Sequence, residues 1–433
     1  MNASGKYYIH TYGCQMNVHE SEKLAGILAQ RGYVAAENDE QADIIIFNTC
    51  CVRETAETHI WGNLGQIKKL KERRPDTIVA VCGCMAQKEG AADAILKRCP
   101  FVNIVFGTHN IRAFGEYLDK SSPRSHIKEI WDAPCEDGRE APVLRTSGVN
   151  AWVNIMYGCN NFCSYCIVPY VRGRERSRKP DVILEEIERL VKIYPQITLL
   201  GQNVNSYCGG KDYGFNELLR DIVAICGKFR VNFMTSHPKD LSEAVVKTIA
   251  SSDKLSKFVH LPFQAGSDRI LQLMNRKYTA AGYLKTIGII RDYIPEVGLS
   301  SDVMVGFPTE TEEDFRDTLK VVETVRFDNL YTFIYSRRSG TPADKMEQVD
   351  TAIKKSRISR LIELQAQIGE QLAQACEGKI YEVLFDSWDG KRAGGKTQCG
   401  KAVTVNSASD LTGKFIRVKV DSHRKTKLFG TIV

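Results

Sequence analysis

The sequence predicts an α/β protein in three parts: an N-terminal doubly wound α/β domain, a central partial parallel (βα)6 barrel and a C-terminal small OB-like β-barrel. Three observations predict it. Short apolar runs alternate with helix-patterned stretches over residues 1–120, which is how a doubly wound sheet reads. Six further strand-patterned runs lie between residues 151 and 345 with helical stretches between them, and that suits a partial parallel barrel. Residues 377–433 alternate apolar and polar over several short runs, as a small β-barrel does.

Each element follows from its pattern. Residues 6–11 read as a strand. Residues 19–31 place Leu24, Ile27 and Leu28 on one helical face. Residues 42–47, Ala-Asp-Ile-Ile-Ile-Phe, are a short apolar run of the kind that fills a buried parallel strand. Residues 54–72 read as a helix, and 77–81 and 102–106 as further strands. Residues 121–144 are polar and broken by Pro123, Pro134, Gly138 and Pro142, which marks a linker. In the central part, 145–376, strands are expected at 152–156, 197–201, 231–235, 258–262, 299–306 and 329–335. Helices are expected at 181–193, 216–227, 241–250, 280–293 and 310–325, with a helical connector from 350 to 376.

Composition excludes several classes. With 43% hydrophobic and 26% charged residues the chain reads as an ordinary globular protein. No apolar run approaches the roughly 20 residues of a membrane span, and the start, Met-Asn-Ala-Ser-Gly-Lys-Tyr-Tyr, has no signal-peptide core. A cytoplasmic protein without a membrane partner is expected. Fourteen Cys in a reducing compartment then point to metal or redox chemistry rather than disulfides. The net charge of +7 is concentrated at one end: residues 379–433 hold eleven Lys/Arg against five Asp/Glu. Such a module suits a polyanionic partner, most often nucleic acid; a solvated surface is the alternative.

Two sets of cysteines carry the chemistry. Cys159, Cys163 and Cys166 stand in a C-x3-C-x2-C run. A cubane iron–sulfur cluster is normally held by four thiolates, so three leave one iron open, and an open position on a metal is where chemistry happens. A zinc site is the rival reading, but no His lies between residues 127 and 236 to complete a local tetrad. The second set is dispersed. Cys14, Cys50 and Cys84 each follow one of three successive strands, and ligands of an open parallel sheet bind beyond the carboxyl ends of its strands. These three can converge as a second open-iron site. Free cysteines are also common buried residues, the reading that Cys51 and Cys82 fit.

The two cysteine sets, the six-strand core and the basic C-terminal barrel together resemble the methylthiotransferases among the radical S-adenosylmethionine (SAM) enzymes. The resemblance covers essentially the whole chain. Asn48-Thr-Cys-Cys-Val-Arg53 and Gly83-Cys-Met-Ala-Gln87 look like the motifs of that family's auxiliary cluster. The match assigns Cys50 and Cys84 as ligands and leaves Cys51 and Cys82 as spares. It implies an N-terminal domain with an auxiliary 4Fe-4S cluster, a radical SAM core with a second, and a C-terminal TRAM domain that binds RNA. Four stretches favour the branch that converts N6-isopentenyladenosine, beside the tRNA anticodon, into its 2-methylthio derivative: residues 154–160, 167–178, 199–207 and 234–238. The alternatives within the family are threonylcarbamoyl-adenosine in tRNA and an aspartate of a ribosomal protein. In such enzymes one SAM methylates a sulfur held at the auxiliary cluster. A second SAM is cleaved to a radical that abstracts hydrogen from C2 of the adenine. The implied partners are the anticodon stem-loop of tRNA and an electron donor such as a flavodoxin or ferredoxin, and a monomer is expected.

Further residues are candidates by position. Arg172, Arg174, Arg176 and Arg178 recur with period two. If extended, they put four guanidiniums on one side, suited to phosphates of RNA. Gly201, Gln202 and Asn203 end the second barrel strand where a SAM-contacting loop is expected. Asp302 and Gly306-Phe-Pro308 belong to the fifth, and His237 follows the third. Tyr157, Phe162, Tyr165 and Tyr170 suit stacking on an extruded base, or shielding of the cluster.

Overall fold

The computed structural model describes residues 5–51, 54–133 and 140–433, with backbone alone at 54–58. Pro134 and Gly138, read as linker residues, and Val52 and Arg53 of the Asn48–Arg53 motif lie outside the described residues. The chain forms two compact units. The first runs to Thr146 and adds 158–160 and 166–175; the second comprises 147–157, 161–165 and 176–433.

The first unit is a doubly wound α/β domain. Its elements are β1 (Lys6–Thr11), α1 (Gln15–Gln30), β2 (Val34–Ala35), β3 (Ile44–Thr49), α2 (Glu54–Arg73), β4 (Ile78–Gly83), α3 (Cys84–Gln87), α4 (Ala91–Arg98), β5 (Ile104–Phe106), α5 (Phe114–Lys120) and β6 (Ile127–Glu129). A short helix α6 (Val168–Arg172) belongs to it as well. The sheet is parallel in the order β2-β1-β3-β4-β5-β6. Every residue of β3 is buried, because helices cover both faces and leave no side of a central strand for water. Ile45, Phe47, Val79 and Val81 pack on one face, and Ile44, Ile46 and Ala80 with Leu24 and Leu28 of α1 on the other.

Two differences from the sequence reading concern boundaries. The first sheet does not stop at residue 120: β6 pairs with β5 inside the expected linker. A three-residue edge strand needs only one apolar side chain, and Ile127 supplies it. Likewise α1 begins at Gln15 rather than 19.

In the second unit the six expected strands are present: β7 (Asn150–Asn154), β10 (Gln196–Leu200), β13 (Arg230–Phe233), β14 (Phe258–His260), β15 (Gly298–Val305) and β16 (Asn329–Ile334). Between them come β8 (Met156–Tyr157), β9 (Arg176–Ser177) and the hairpin β11 (Cys208–Gly210) and β12 (Tyr213–Gly214). The six main strands form two parallel sheets, β7-β10-β13 and β14-β15-β16, joined by a parallel bridge between Val231 and Leu255. Helices α7 (Pro180–Leu190), α8 (Phe215–Ala224), α9 (Glu243–Ser251), α10 (Asp268–Leu273), α11 (Ala280–Tyr293) and α12 (Glu312–Val325) lie in the connections, giving the partial (βα)6 barrel. The connector is α13 (Thr351–Gln374), started by the Asp350 carboxylate, which accepts from the Ala352 and Ile353 amides.

The C-terminal strands β17 (Ile380–Trp388), β18 (Arg392–Thr397), β19 (Ala402–Asn406), β20 (Phe415–Arg424) and β21 (Lys427–Ile432) close into a barrel in the order β17-β18-β19-β21-β20. Val383, Phe385, Val403, Val418 and Leu428 fill it. The barrel docks on the amino ends of the core strands. Arg230, first residue of β13, donates to the carbonyls of Lys396 at 2.8 Å and Thr397 at 3.1 Å. The Lys257 amide donates to Gln398 O at 2.9 Å, and Lys401 pairs with Asp328 just before β16.

Candidate functional site

The dispersed cysteines sit where the parallel sheet was expected to bring them. Cys14 caps α1 just beyond β1, Cys50 follows β3 directly, and Cys84 opens α3 directly after β4. These three strands are neighbours, with Thr11 opposite Asn48 and Thr49 opposite Gly83. The chain before Cys14 turns at Gly13, φ +106°, where an added Cβ would lie 2.6 Å from Cys50 Sγ. Only glycine lets the two cysteine turns approach so closely. Cys14 is exposed, while Cys50 and Cys84 are buried.

A buried polar hub holds these strand ends. Asn17 is fully buried. Its Nδ2 donates to Tyr12 O at 2.8 Å and Thr49 O at 3.0 Å, so one amide ties the ends of β1 and β3. Its Oδ1 accepts from Arg172 Nη2 at 2.8 Å and from Cys14 Sγ at 3.9 Å. Arg172 also grips the Glu20 carboxylate with both nitrogens, at 2.6 and 3.2 Å. A hydrogen bond with Cys51 holds the Cys84 thiol down to about 7 against burial, and Arg172 adds to the effect. Cys82 faces the other side of the sheet among Ile46, Ala80 and Ile104, and burial pushes its thiol well up.

Among the described residues no three His, Cys, Asp or Glu side chains converge on a single metal ion. A cubane spreads its thiolates over separate irons, so its ligands stand further apart than those of one ion. The donor set fits such a group: soft thiols suit iron–sulfur clusters, and Glu20, the nearby carboxylate, is taken by Arg172.

The C-x3-C-x2-C loop is held at both ends. Cys159 N donates to Gly173 O at 3.1 Å. Gly158, φ +73°, passes so near Arg174 that a Cβ would lie 2.1 Å from its carbonyl oxygen. In the second unit, Ser164 donates from N and Oγ to the carbonyls of Met274 and Leu273 at the end of α10, at 3.0 and 2.7 Å. Asn275 Nδ2 bonds Phe162 O at 2.9 Å, steadying Phe162 at φ +46°, a left-handed backbone that a non-glycine rarely adopts. Cys163 Sγ accepts from Arg276 Nη1 at 3.4 Å. Arg276 is itself fixed to Pro262 O and the Tyr278 hydroxyl, each at 2.9 Å. Cys163 is buried and Cys166 half-buried. Sequence reasoning did not single out Arg276.

Buried polar atoms without a partner gather at the carboxyl ends of the core strands. Asn203 donates to Asp240 at 2.7 Å, but its Oδ1 has no partner among the described residues, nor do both amide atoms of Asn205, Asn154 Oδ1 and Ser236 Oγ. Buried polar groups are nearly always satisfied, so these atoms fit a polar ligand, beside Gly201 and Gln202. Asp302 Oδ2 stands 3.7 Å from His260 Nε2, whose other nitrogen bonds Ser300 Oγ at 2.8 Å. His237 is buried and accepts from Lys239 N at 3.3 Å. Burial, then Arg276 and Lys239, push its imidazole down to about 2. Phe307 is fully buried against Tyr165 and Tyr335, so the Gly306-Phe-Pro308 turn packs the core. Tyr170 is half-exposed, and Tyr157 and Phe162 are partly so.

The arginine run is not one phosphate-facing row. Arg172 ends helix α6 and is buried against Glu20, because Pro169 starts a helical turn and Gly173, φ +73°, breaks the extended register. Arg178 is turned inward to Glu186 at 2.9 Å and Asn154 O at 2.6 Å. Arg174 is exposed and Arg176 half-buried. On the C-terminal barrel, Lys391, Arg392, Lys396, Lys414, Arg417, Lys419, Arg424, Lys425 and Lys427 are exposed.

Family comparison follows the same division of the chain. A profile described as "Uncharacterized protein family UPF0004" matches residues 6–107, and one described as "Radical SAM superfamily" matches residues 153–322. The tRNA-2-methylthio-N(6)-dimethylallyladenosine synthase of Clostridium beijerinckii is 50% identical over 437 residues, covering 98% of this chain and 95% of the relative. That of Acetivibrio thermocellus is 48% identical, covering 99% and 91%. Among solved structures, the radical S-adenosylmethionine methyltransferase TsrM from Kitasatospora setae shares the fold. Its TM-score is 0.57 at 12% identity, over 88% of this chain and 77% of that one.

Proposed function

From the premise that this chain belongs to the tRNA-2-methylthio-N(6)-dimethylallyladenosine synthase family, we propose how its own residues divide that activity. The chain is a radical SAM enzyme that methylthiolates N6-isopentenyladenosine in tRNA. The observation that carries the assignment of ligands is the placing of Cys14, Cys50 and Cys84 beyond three adjacent parallel strands, together with the C-x3-C-x2-C spacing. Cys159, Cys163 and Cys166 hold one 4Fe-4S cluster, and Cys14, Cys50 and Cys84 hold the second. When bound, the first supplies the electron that cleaves SAM, and the second supplies the site from which sulfur is transferred.

The residues do the rest. Arg276 and the backbone of Ser164 fix the sulfur of Cys163. Asn203, Asn205 and Ser236 offer unpaired polar atoms to SAM, with Gly201 and Gln202 in the same turn and Asp302 across the barrel. His237 stays neutral and donates no charge to the site. The C-terminal barrel is the TRAM module: its exposed cations hold the anticodon stem-loop by its phosphates, and such bonds position RNA without reading sequence. Arg174 is the remaining exposed cation of the 172–178 run suited to phosphate. A flavodoxin or ferredoxin delivers the electron to a monomer in the cytoplasm. No described helix is long and apolar enough to cross a membrane.

The test is anaerobic reconstitution with iron counting and mass spectrometry of tRNA nucleosides. Cys159→Ala, Cys163→Ala or Cys166→Ala should abolish 5′-deoxyadenosine formation. Cys14→Ala, Cys50→Ala or Cys84→Ala should keep some of it while the methylthio product disappears. Wild-type SAM cleavage by a variant of the first group removes that ligand from the assignment.

A further inference from the structure

Arg172 stands apart from the other cations of the 172–178 run by what it faces. It is buried with Glu20 and Asn17 around it, and its charge lies close enough to act on Cys84. A buried ion pair is weak grounds for stability, because desolvating both charges offsets most of their attraction. The pair therefore calls for another role, and the geometry supplies one. A guanidinium only donates. Of the two ends of the Asn17 amide, it can bond the oxygen alone, so it fixes which way that amide points. The amide nitrogen is thereby aimed at Tyr12 O and Thr49 O, the backbone that presents Cys14 and Cys50. Glu20, held through both oxygens, keeps the guanidinium from turning.

We propose that Arg172 is a positioning residue for the Cys14/Cys50/Cys84 cluster, orienting Asn17 and placing a permanent positive charge beside Cys84. This rests on reading those cysteines as cluster ligands. A guanidinium cannot deprotonate in a protein, and cluster potentials follow local charge and hydrogen bonds to sulfur. A fixed positive charge favours the reduced state, so Arg172 raises the potential of this cluster.

The experiment uses the full-length chain with Cys159, Cys163 and Cys166 all changed to Ala, so that only this cluster forms. Iron and sulfide are counted, loss to a chelator is timed, and the midpoint potential is read by EPR-monitored titration. Arg172→Met should shift the potential to more negative values and speed iron loss by about tenfold or more, the usual cost of removing a group that orients metal ligands. Arg172→Lys keeps the charge but not the fork; it should restore the potential and leave iron loss fast. Because Arg172→Met alone strands a buried carboxylate, Glu20→Gln/Arg172→Met is made as well. It should fold and still show the negative shift. Parent potential and iron retention in the double variant would overturn the proposal, leaving Arg172 as a counter-ion of Glu20. A parent that holds no cluster overturns the ligand assignment instead, and Cys14→Ala, Cys50→Ala and Cys84→Ala report that failure separately.

Discussion

Arg276 Nη1 donates to the sulfur of Cys163 at 3.4 Å, from 113 residues further along the chain. Its other nitrogens are spent on Pro262 O and Tyr278, so the guanidinium cannot swing away. A charge-assisted hydrogen bond is worth about 1.5–3 kcal/mol. Arg276→Gln should therefore slow 5′-deoxyadenosine formation by about tenfold or more. Timed SAM cleavage in the reconstituted enzyme reads this directly, and a parent rate would refute a role for the bond.

The neighbouring thiols Cys50 and Cys51 are both buried, but they face different partners. Cys50 abuts the turn at Gly13, and Cys51 bonds Cys84. Cys51→Ala should keep two clusters per chain and make product, while Cys50→Ala should lose one. Iron counts in the opposite order would exchange their roles.

The docking of the C-terminal barrel decides how its RNA binding is tested. Deleting residues 377–433 would strip Arg230 and Asp328 of their partners and expose the amino ends of the core strands. Replacing Lys391, Arg392, Lys425 and Lys427 together by Gln is cleaner, because all four are exposed. Log affinity for tRNA should then fall less steeply with log salt, by about 0.7 to 0.9 for each phosphate no longer neutralised. An unchanged slope would make the basic end a solvated surface.

Arg230 is the buried anchor of that docking. Arg230→Met removes the buried side-chain donor from the carbonyls of Lys396 and Thr397, the latter keeping the Gly400 amide, at about 1–3 kcal/mol. Thermal melting should show the loss in the folded holoenzyme, and SAM cleavage below the melting range should hardly change. A melting temperature equal to the parent's would sink the anchoring role.

His237 gives a pH dependence with a definite sign. Its imidazole is held at about 2 against an ordinary 6.5, by burial first and then by Arg276 and Lys239. The unfolded chain takes up a proton below about pH 6.5 and the folded one does not. Stability from this group is thus complete above pH 6.5 and is lost as pH falls toward 2, at about 1.4 kcal/mol per unit. His237→Gln should flatten the fall in denaturant stability between pH 6.5 and 5. Equal pH slopes for variant and parent would contradict it.

The six core strands were legible because each is a short run rich in β-branched, aromatic or other apolar residues set between helix-patterned stretches. The placing of Cys14, Cys50 and Cys84 after three strands was legible because a position after a strand survives any error in helix boundaries. The start of α1 was not: Asn17, His19, Glu20, Glu22 and Lys23 are all buried, and a helix that buries its polar side has no apolar stripe to announce it. The period-two spacing of the arginines reads as an extended chain, whereas Pro169 and Gly173 shape a helical turn that carries Arg172 inward. Arg276 left no local trace, since its meaning comes from a cysteine far away in sequence.

The Glu20–Arg172 pair also sets an order of events in biosynthesis. A nascent chain emerges amino end first. When the sheet of the first unit is already outside the ribosome, the cation that neutralises Glu20 has not yet been made. A lone carboxylate resists burial, so α1 cannot settle fully until residue 172 appears. By then Cys159, Cys163 and Cys166 have all emerged. A product truncated before residue 172 therefore leaves Glu20 without its counter-ion and the amino end of α1 unsettled.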